Sequence, residues 1–268
     1  MPPGRKPKLP FYMIPLDYPN SAGRLHRLLS TAISLGAKRS GPIIDLWEVV
    51  LGIEDDYEYE HRALMVFQRL GKFYEVTIEL EKEIQTHVNG TDKRNLYLTL
   101  IPRIRTLLSL ASGDLNVPQF LAKLDPSLLT LLAVCAVDLP RERPISGDDL
   151  KTLNQMFGDL FSKIERVDLH ADLKKWLLSL LADAQRSIAE YQIRGAETFG
   201  VALKAMFGEI CLHQQLFNEV RTSHKDIWTR WDAIVKRFGE FARAAESCGH
   251  LLGPGTHLLL NHLPNIAG

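Results

Sequence analysis

The chain has 268 residues, of which 46% are hydrophobic and 24% are charged, and its 32 basic side chains balance 32 acidic ones. A chain of this length can bury roughly three quarters of its unfolded surface, so it needs neither a metal ion nor a disulfide to hold a core. The composition is too apolar for a disordered protein and too evenly charged for a protein that coats nucleic acid along its whole length.

The first 20 residues contain six prolines, which exclude a helix there. The segment from Phe11 to Tyr18 is apolar, and we expect it to lie extended in a groove, either of this chain or of a partner. The prolines also break the apolar run of ~7 to 15 residues that a secretory signal needs, so we expect a cytoplasmic protein. The residues predicted to contact a partner are Phe11, Tyr12, Ile14 and Tyr18.

From Ser21 onward the apolar side chains recur at helical spacing. The next helix is expected to return beside the third and longest one as an antiparallel hairpin over about 57–112. The reason is a stripe on the third helix with spacings of three and four, formed by Ala63, Val66, Phe67, Leu70, Phe73, Tyr74, Thr77, Leu80, Ile84 and Val88. Pro102 lies in this returning helix and predicts a kink. The helices predicted in this half are about 21–36, 43–53, 57–88, 91–112 and 126–138.

A looser stretch over 141–146 precedes four more helical patterns. Four residues mark predicted helix boundaries: Thr91, Asp125 before Pro126, and Ser146 are typical N-caps, and Gly195 after Arg194 is typical of a helix end. Short connections imply antiparallel neighbours in a bundle. The most apolar run, 128–137, is about half the ~20 residues that a membrane span requires, so no span is predicted. These four helices are predicted at about 147–166, 168–194, 196–221 and 224–247.

The sequence therefore predicts an all-α protein, a bundle of about nine helices with one long hairpin. We divide it into an extended proline-rich arm (1–20), an N-terminal helical half (21–140) and a C-terminal helical bundle (141–268). A single fused core is an open alternative, because a link of six residues hardly lets the two halves separate.

The balanced charge hides a segregation, since residues 1–40 hold seven basic groups and one acid, and residues 41–89 hold eleven acids and four bases. In one interpretation the basic first helix packs beside the acidic third helix, and the charges cancel within the molecule. In the other, the basic residues bind nucleic acid or another anionic partner. These residues are Arg5, Lys6, Lys8, Arg24, Arg27, Lys38 and Arg39.

Three Phe-Gly pairs lie within predicted helices, with glycines at 158, 208 and 239. A glycine inside a helix costs ~1 kcal/mol relative to alanine. We therefore expect tight helix crossings at these positions, where any side chain would collide.

Motifs for phosphate binding and for hydrolysis are missing from the sequence: it contains no glycine-rich phosphate loop, no G-x-S-x-G and no H-E-x-x-H. Near the end of the chain, Cys248, His250, His257 and His262 are side chains of the kinds that bind zinc, but they lack the paired spacing of a zinc site. No metal ion or other cofactor is predicted.

One segment offers an enzymatic alternative. Arg243 is followed by His250 near the end of the last predicted helix, and this spacing resembles the Arg–His motif of HEPN-type helical RNases over eight residues. The resemblance implies that His250 acts as general base on a ribose 2′-hydroxyl and that Arg243 steadies the phosphate. The polar residue usual after the arginine is Ala244 here, which weakens the match.

With abundant core and no recognised catalytic motif, the sequence favours a non-enzymatic helical interaction or scaffold subunit that binds another protein or a second copy of itself. Two alternatives stay open: a small helical RNase that uses Arg243 and His250, and a nucleic-acid-binding protein that uses the basic residues of the first forty.

Overall fold

The computed structural model of the protein describes residues 19–53, 58–110 and 115–246. Over these ranges the chain is all-helical, with twelve helices and no β-strand, so the predicted fold class is confirmed. None of the helices in these ranges is long and apolar enough to cross a membrane.

Seven helices form the N-terminal half. The first helix lies at the centre of this half and contacts the second, third, sixth and seventh helices. Their bounds are α1 Ser21–Gly36, α2 Ile43–Val50, α3 Tyr59–His87, α4 Thr91–Leu98, α5 Leu100–Leu110, α6 Val117–Leu121 and α7 Pro126–Asp138.

Side-chain caps fix several of these helix ends. The Asn20 side chain accepts a hydrogen bond from the backbone N–H of Gly23 and so starts α1. Asp125 caps α7 with Pro126 in its first turn, as predicted. Thr91 is not the cap that the sequence suggested, because it is the first residue of α4 and Gly90 takes the N-cap position without a side-chain hydrogen bond.

The segment predicted as one returning helix is divided into α4 and α5 at Thr99, and both pack against α3. The predicted kink at Pro102 is therefore wrong, since the helix stops and restarts. Pro102 has no N–H to bond to the carbonyl of Leu98, so a continuous helix would lose a bond there, whereas the first turn of α5 needs none.

Five helices form the C-terminal half, in which α8, α9, α10 and α12 pack in a ring so that each contacts two of the others. Ser146 caps α8, and Gly195 ends α9, both as predicted. The bounds are α8 Gly147–Arg166, α9 Ala171–Arg194, α10 Glu197–Leu212, α11 Gln214–Ser223 and α12 Lys225–Glu246. The described chain therefore has three more helices than the nine predicted. The helix predicted at 91–112 is divided into α4 and α5, the helix predicted at 196–221 is divided into α10 and α11, and α6 was not predicted.

Two large hydrophobic clusters lie in the two halves, one drawn from α1 to α7 together with Ile193 of α9, and one drawn from α8 to α12. The halves meet where α1 and α3 contact α9. Whether the chain has one domain or two stays a prediction.

Candidate functional site

Most of the predicted site residues lie outside the described part of the chain. This is the case for Phe11, Tyr12, Ile14 and Tyr18, for Arg5, Lys6 and Lys8, and for Cys248, His250, His257 and His262. Arg243 is exposed in the last turn of α12, but its proposed partner His250 is not described. The hypotheses of a partner-binding arm and of an RNase motif therefore stay predictions.

The basic residues of α1 are only partly available to an anionic partner. Arg24 is 6% exposed and points into the protein, which corrects the nucleic-acid alternative at this position. Arg27 donates a hydrogen bond from Nη2 to the backbone oxygen of Gln192 at 2.8 Å. Lys38 and Arg39 are exposed just after α1.

Arg24 belongs instead to a group of charged side chains buried between the two halves, which we name the junction cluster. Its Nη1 donates to Glu142 Oε1 at 2.8 Å, and its Nη2 donates to Ser21 Oγ at 3.3 Å. Ser21 in turn donates to Glu83 Oε1 at 2.8 Å. The members of the junction cluster are Ser21, Arg24, Glu75, Glu79, Glu83, Glu142, Arg194 and Glu197.

Arg194, the last residue of α9, enters the cluster from the C-terminal half. Its Nη2 donates to Glu79 Oε1 at 3.1 Å, and its Nη1 lies 3.4 Å from Glu75 Oε2. The backbone N–H of Ala196 donates to Glu142 Oε2 at 3.0 Å. Both halves of the molecule therefore bind the same carboxylates.

Gly195 is required by this geometry for two separate reasons. Its φ of +72° lies in the region that favours glycine, and a Cβ there would overlap Arg24 Nη1 and Glu142 Oε2. The helix-ending glycine that the sequence predicted is thus also the position where the backbone approaches the buried ion pair most closely.

The electrostatics of the cluster centre on Glu79. Burial, and then the neighbouring carboxyl of Glu197, raise the pKa of Glu79 to about 8. Glu79 Oε2 and Glu197 Oε2 have no other hydrogen-bond partner among the described residues, so a protonated Glu79 would donate its proton in a hydrogen bond to Glu197. Burial opposes the charged form of Arg24, but Glu142, Glu83 and Glu79 outweigh it and raise its pKa.

The junction cluster is closed to substrates. The side chains of Arg24, Glu79 and Glu142 are 6%, 8% and 3% exposed, so no substrate reaches them unless the halves separate. Within the described ranges, no group of three or more His, Cys, Asp or Glu side chains could hold a metal ion. We interpret the cluster as the polar connection that fixes how the two halves dock.

A small pocket lies beside the start of α2. It has a volume of about 150 Å³, below the ~300–1,000 Å³ typical of small-molecule sites. Its lining is formed by Arg39, Ser40, Gly41, Pro42, Asp45, Leu46 and Val117. It offers no nucleophile with a neighbouring base, so it does not indicate an active site.

The most unusual surface feature is a row of apolar residues on the outward face of α3. Leu64, Phe67, Tyr74 and Ile78 are 52%, 43%, 42% and 41% exposed, and Gly71 lies at their centre. The row extends over 14 residues and therefore about 21 Å. We name these five positions the α3 stripe.

Charged residues of neighbouring helices border the stripe. On one side, the Arg105 guanidinium of α5 lies 5.5 Å from the centre of the Tyr74 ring. On the other, Lys72 Nζ lies 3.9 Å from Glu190 Oε1 of α9. The stripe thus runs along an open face of α3 between α5 and α9.

Sequence reasoning merged two rows of residues on this helix. The stripe predicted from spacing combined Phe67 and Tyr74 with Val66, Leu70 and Phe73, but the last three are buried and the first two are exposed. Both rows have spacings of three and four, so periodicity alone identifies neither as the core-facing row.

Comparison of the chain with protein-family models, with characterised proteins and with solved structures finds no match in any of the three.

Proposed function

We propose that the protein is a non-enzymatic helical interaction subunit that binds another protein, or a second copy of itself, through the α3 stripe. The observation that carries this proposal is the row of four large apolar side chains, each at least 41% exposed, on one face of one helix.

Exposed apolar residues are common when they are single, and they need no explanation then. A continuous row is different, because burying such side chains in an interface gains roughly 25 cal/mol per Å² of apolar surface. The inward face of α3 already supplies Val66, Leu70, Phe73, Leu80 and Ile84 to the core. The outward row therefore adds nothing to the core, and a partner helix accounts for it.

The segment from Phe11 to Tyr18 is a second proposed contact with a partner. It carries large apolar side chains between prolines, a composition typical of extended recognition segments. In the proposed function, the long helical hairpin carries the α3 stripe, the segment from Phe11 to Tyr18 is a second contact, and the complex is cytoplasmic.

Native mass spectrometry of the tagged protein purified from its own host tests the proposed function. We expect a complex heavier than the 30.3 kDa chain, which the double variant Phe67→Glu/Tyr74→Glu loses. The matched control is Val201→Glu/Leu212→Glu, because these two residues are 44% and 77% exposed on a different helix and the variant also introduces two negative charges. A chain that is always isolated alone, or a complex that survives the double variant, would contradict the proposal.

A further inference from the structure

Gly71 lies in the middle of the 29-residue helix α3, where glycine costs ~1 kcal/mol relative to alanine. A Cβ at this position would meet no atom within 4 Å. Packing within the described chain therefore does not require glycine here.

Gly158 and Gly208 are open in the same way, so the tight crossings predicted at those two positions are wrong. Gly71 differs from Gly158 in its surroundings. Gly158 has the polar Asn154 four residues before it and the partly buried Phe161 three residues after it, whereas Gly71 has the exposed Phe67 and Tyr74 at the same two spacings. A glycine at the centre of an apolar row lets a second backbone approach closely.

The stripe has approximate mirror symmetry about Gly71. Leu64 and Ile78 lie seven residues before and after it, and Phe67 and Tyr74 lie four before and three after. If a second α3 helix crosses antiparallel at Gly71, each helix therefore places the same order of apolar side chains opposite the other. Such a partner is a second copy of α3, related by a two-fold axis.

The charges beyond the ends of the stripe complement each other in the same arrangement. Glu60 and Lys82 are both exposed and both lie eleven residues from Gly71. In an antiparallel pair at a shallow crossing of about 20°, Glu60 of one copy faces Lys82 of the other at both ends. In a parallel pair, Glu60 would face Glu60 and Lys82 would face Lys82, and like charges repel each other.

We propose that two copies of the chain associate through the α3 stripe as an antiparallel, two-fold symmetric helix pair that crosses at Gly71. Leu64 then packs against Ile78 of the second copy, and Phe67 lies beside its Tyr74. This inference rests on the proposed function, because it names the partner of the same surface.

The small size of the surface places the pair among weak or transient interfaces. One stripe per copy buries an area at or below the ~1,200 Å² that marks the lower end of specific interfaces. We therefore expect a dissociation constant in the micromolar range, which is about −8 kcal/mol at 1 μM.

Sedimentation equilibrium of the full chain over ~1–200 μM tests the pair. We expect the mass to rise from one chain to two, and Gly71→Arg to hold it at one chain. Gly158→Arg, which introduces the same side chain at an open glycine on a different helix, outside the α3 stripe, is expected to behave as the wild type.

Charge reversal tests the antiparallel direction. Glu60→Lys alone and Lys82→Glu alone should each weaken the association ~5-fold or more, since each places like charges opposite at both ends. The double variant Glu60→Lys/Lys82→Glu should restore it.

A wild-type chain that stays monomeric at every concentration would overturn the inference of a two-fold pair. This holds whether another segment of the chain or another protein covers the stripe. A Gly71→Arg variant that still dimerises, or a double reversal that restores nothing, would also overturn it. If the chain is monomeric but a stripe-dependent complex with another protein is isolated, self-pairing fails and the proposed function stands.

Discussion

The two faces of α3 reverse the usual distribution of side chains. Its inward face carries Glu79 and Glu83, which are 6% and 3% exposed, among its aliphatic residues. Its outward face carries Leu64, Phe67 and Ile78, which are exposed to at least 41%. The same helix thus buries carboxylates and exposes apolar side chains.

The comparison shows that each face is explained by what it contacts. Glu79 is tolerated because arginines from α1 and α9 pair with it and because burial raises its pKa, and Glu83 accepts a hydrogen bond from Ser21. The outward row has no such compensation within the described chain, so we assign its partner to another molecule. One face determines how the halves dock, and the other determines what the molecule binds.

The largest expected effect comes from removing the cation of the inward face. Arg24→Met leaves Glu142 without its ion pair in a buried site, and we expect a loss of ~3–5 kcal/mol in the free energy of unfolding. Urea denaturation measures it. The matched control is Arg27→Met, three residues further along α1, which loses one hydrogen bond at the surface and should cost ~1 kcal/mol or less. Equal losses in the two variants would show that the junction cluster does not stabilise the fold.

A substitution at Gly195 tests the close approach of backbone and ion pair. Gly195→Ala adds a Cβ that overlaps Arg24 and Glu142, and it also strains a positive φ, so we expect a loss of ~3 kcal/mol. Gly90→Ala is the control, because Gly90 has a φ of +88° with open space around it. It should show the strain alone, ~1 kcal/mol. A Gly195→Ala variant no less stable than Gly90→Ala would contradict the geometry of the cluster.

The dependence of stability on pH tests the protonation of Glu79. The pKa of Glu79 is raised from its ordinary value of 4.5 to about 8, so between these values the folded chain holds a proton that the unfolded chain has released. The free energy of unfolding should therefore fall as the pH rises from 5 to 8. Glu197→Gln removes the second-largest cause of the shift and should flatten this fall.

Thermal or urea unfolding at pH 5, 6, 7 and 8 measures the slope. Glu240→Gln on α12 is the control, since Glu240 is 50% exposed and pairs with an arginine, Arg237, and its slope should equal that of the wild type. A Glu197→Gln slope as steep as the wild-type slope would show that Glu197 does not raise the pKa of Glu79.

The smallest expected effect separates stability from association on the outward face. Gly71→Ala and Gly158→Ala should each raise the free energy of unfolding by ~1 kcal/mol, measured at low concentration, because alanine favours the helix. Gly71→Ala should in addition weaken self-association, because its Cβ lies in the interface, whereas Gly158→Ala should not. Sedimentation measures the association constant of each variant. Equal association constants in the two variants would remove Gly71 from the interface.

Local signals allowed several helix ends to be predicted from the sequence. Asp125 before a proline, Ser146 before two aspartates and Gly195 after an arginine each marked the boundary that the structure has. These signals depend on a few neighbouring residues, whose backbone groups are satisfied locally.

The junction cluster could not be predicted, because its contacts join residues far apart in sequence. Arg24 and Glu142 are separated by 118 positions, and Glu142 lies in the stretch that was interpreted as a loose link. The signal that was available is the spacing of the core-facing row, because Glu79 and Glu83 lie one helical turn apart and directly precede its members Leu80 and Ile84. Charges at core-facing spacing indicate a buried ion pair, provided that the core-facing row is known.

The most direct test of the α3 surface is intermolecular cross-linking through one introduced cysteine per chain, in a Cys211→Ser/Cys248→Ser background whose remaining Cys135 is buried. In the antiparallel pair, positions 60 and 82 of different copies face each other, while the two positions 60 lie about 33 Å apart. A mixture of Glu60→Cys and Lys82→Cys chains should therefore form covalent dimers with a bis-maleimide that spans ~10 Å, and Glu60→Cys chains alone should not. Dimers from Glu60→Cys alone, or none from the mixture, would contradict the proposed pairing of the outward face.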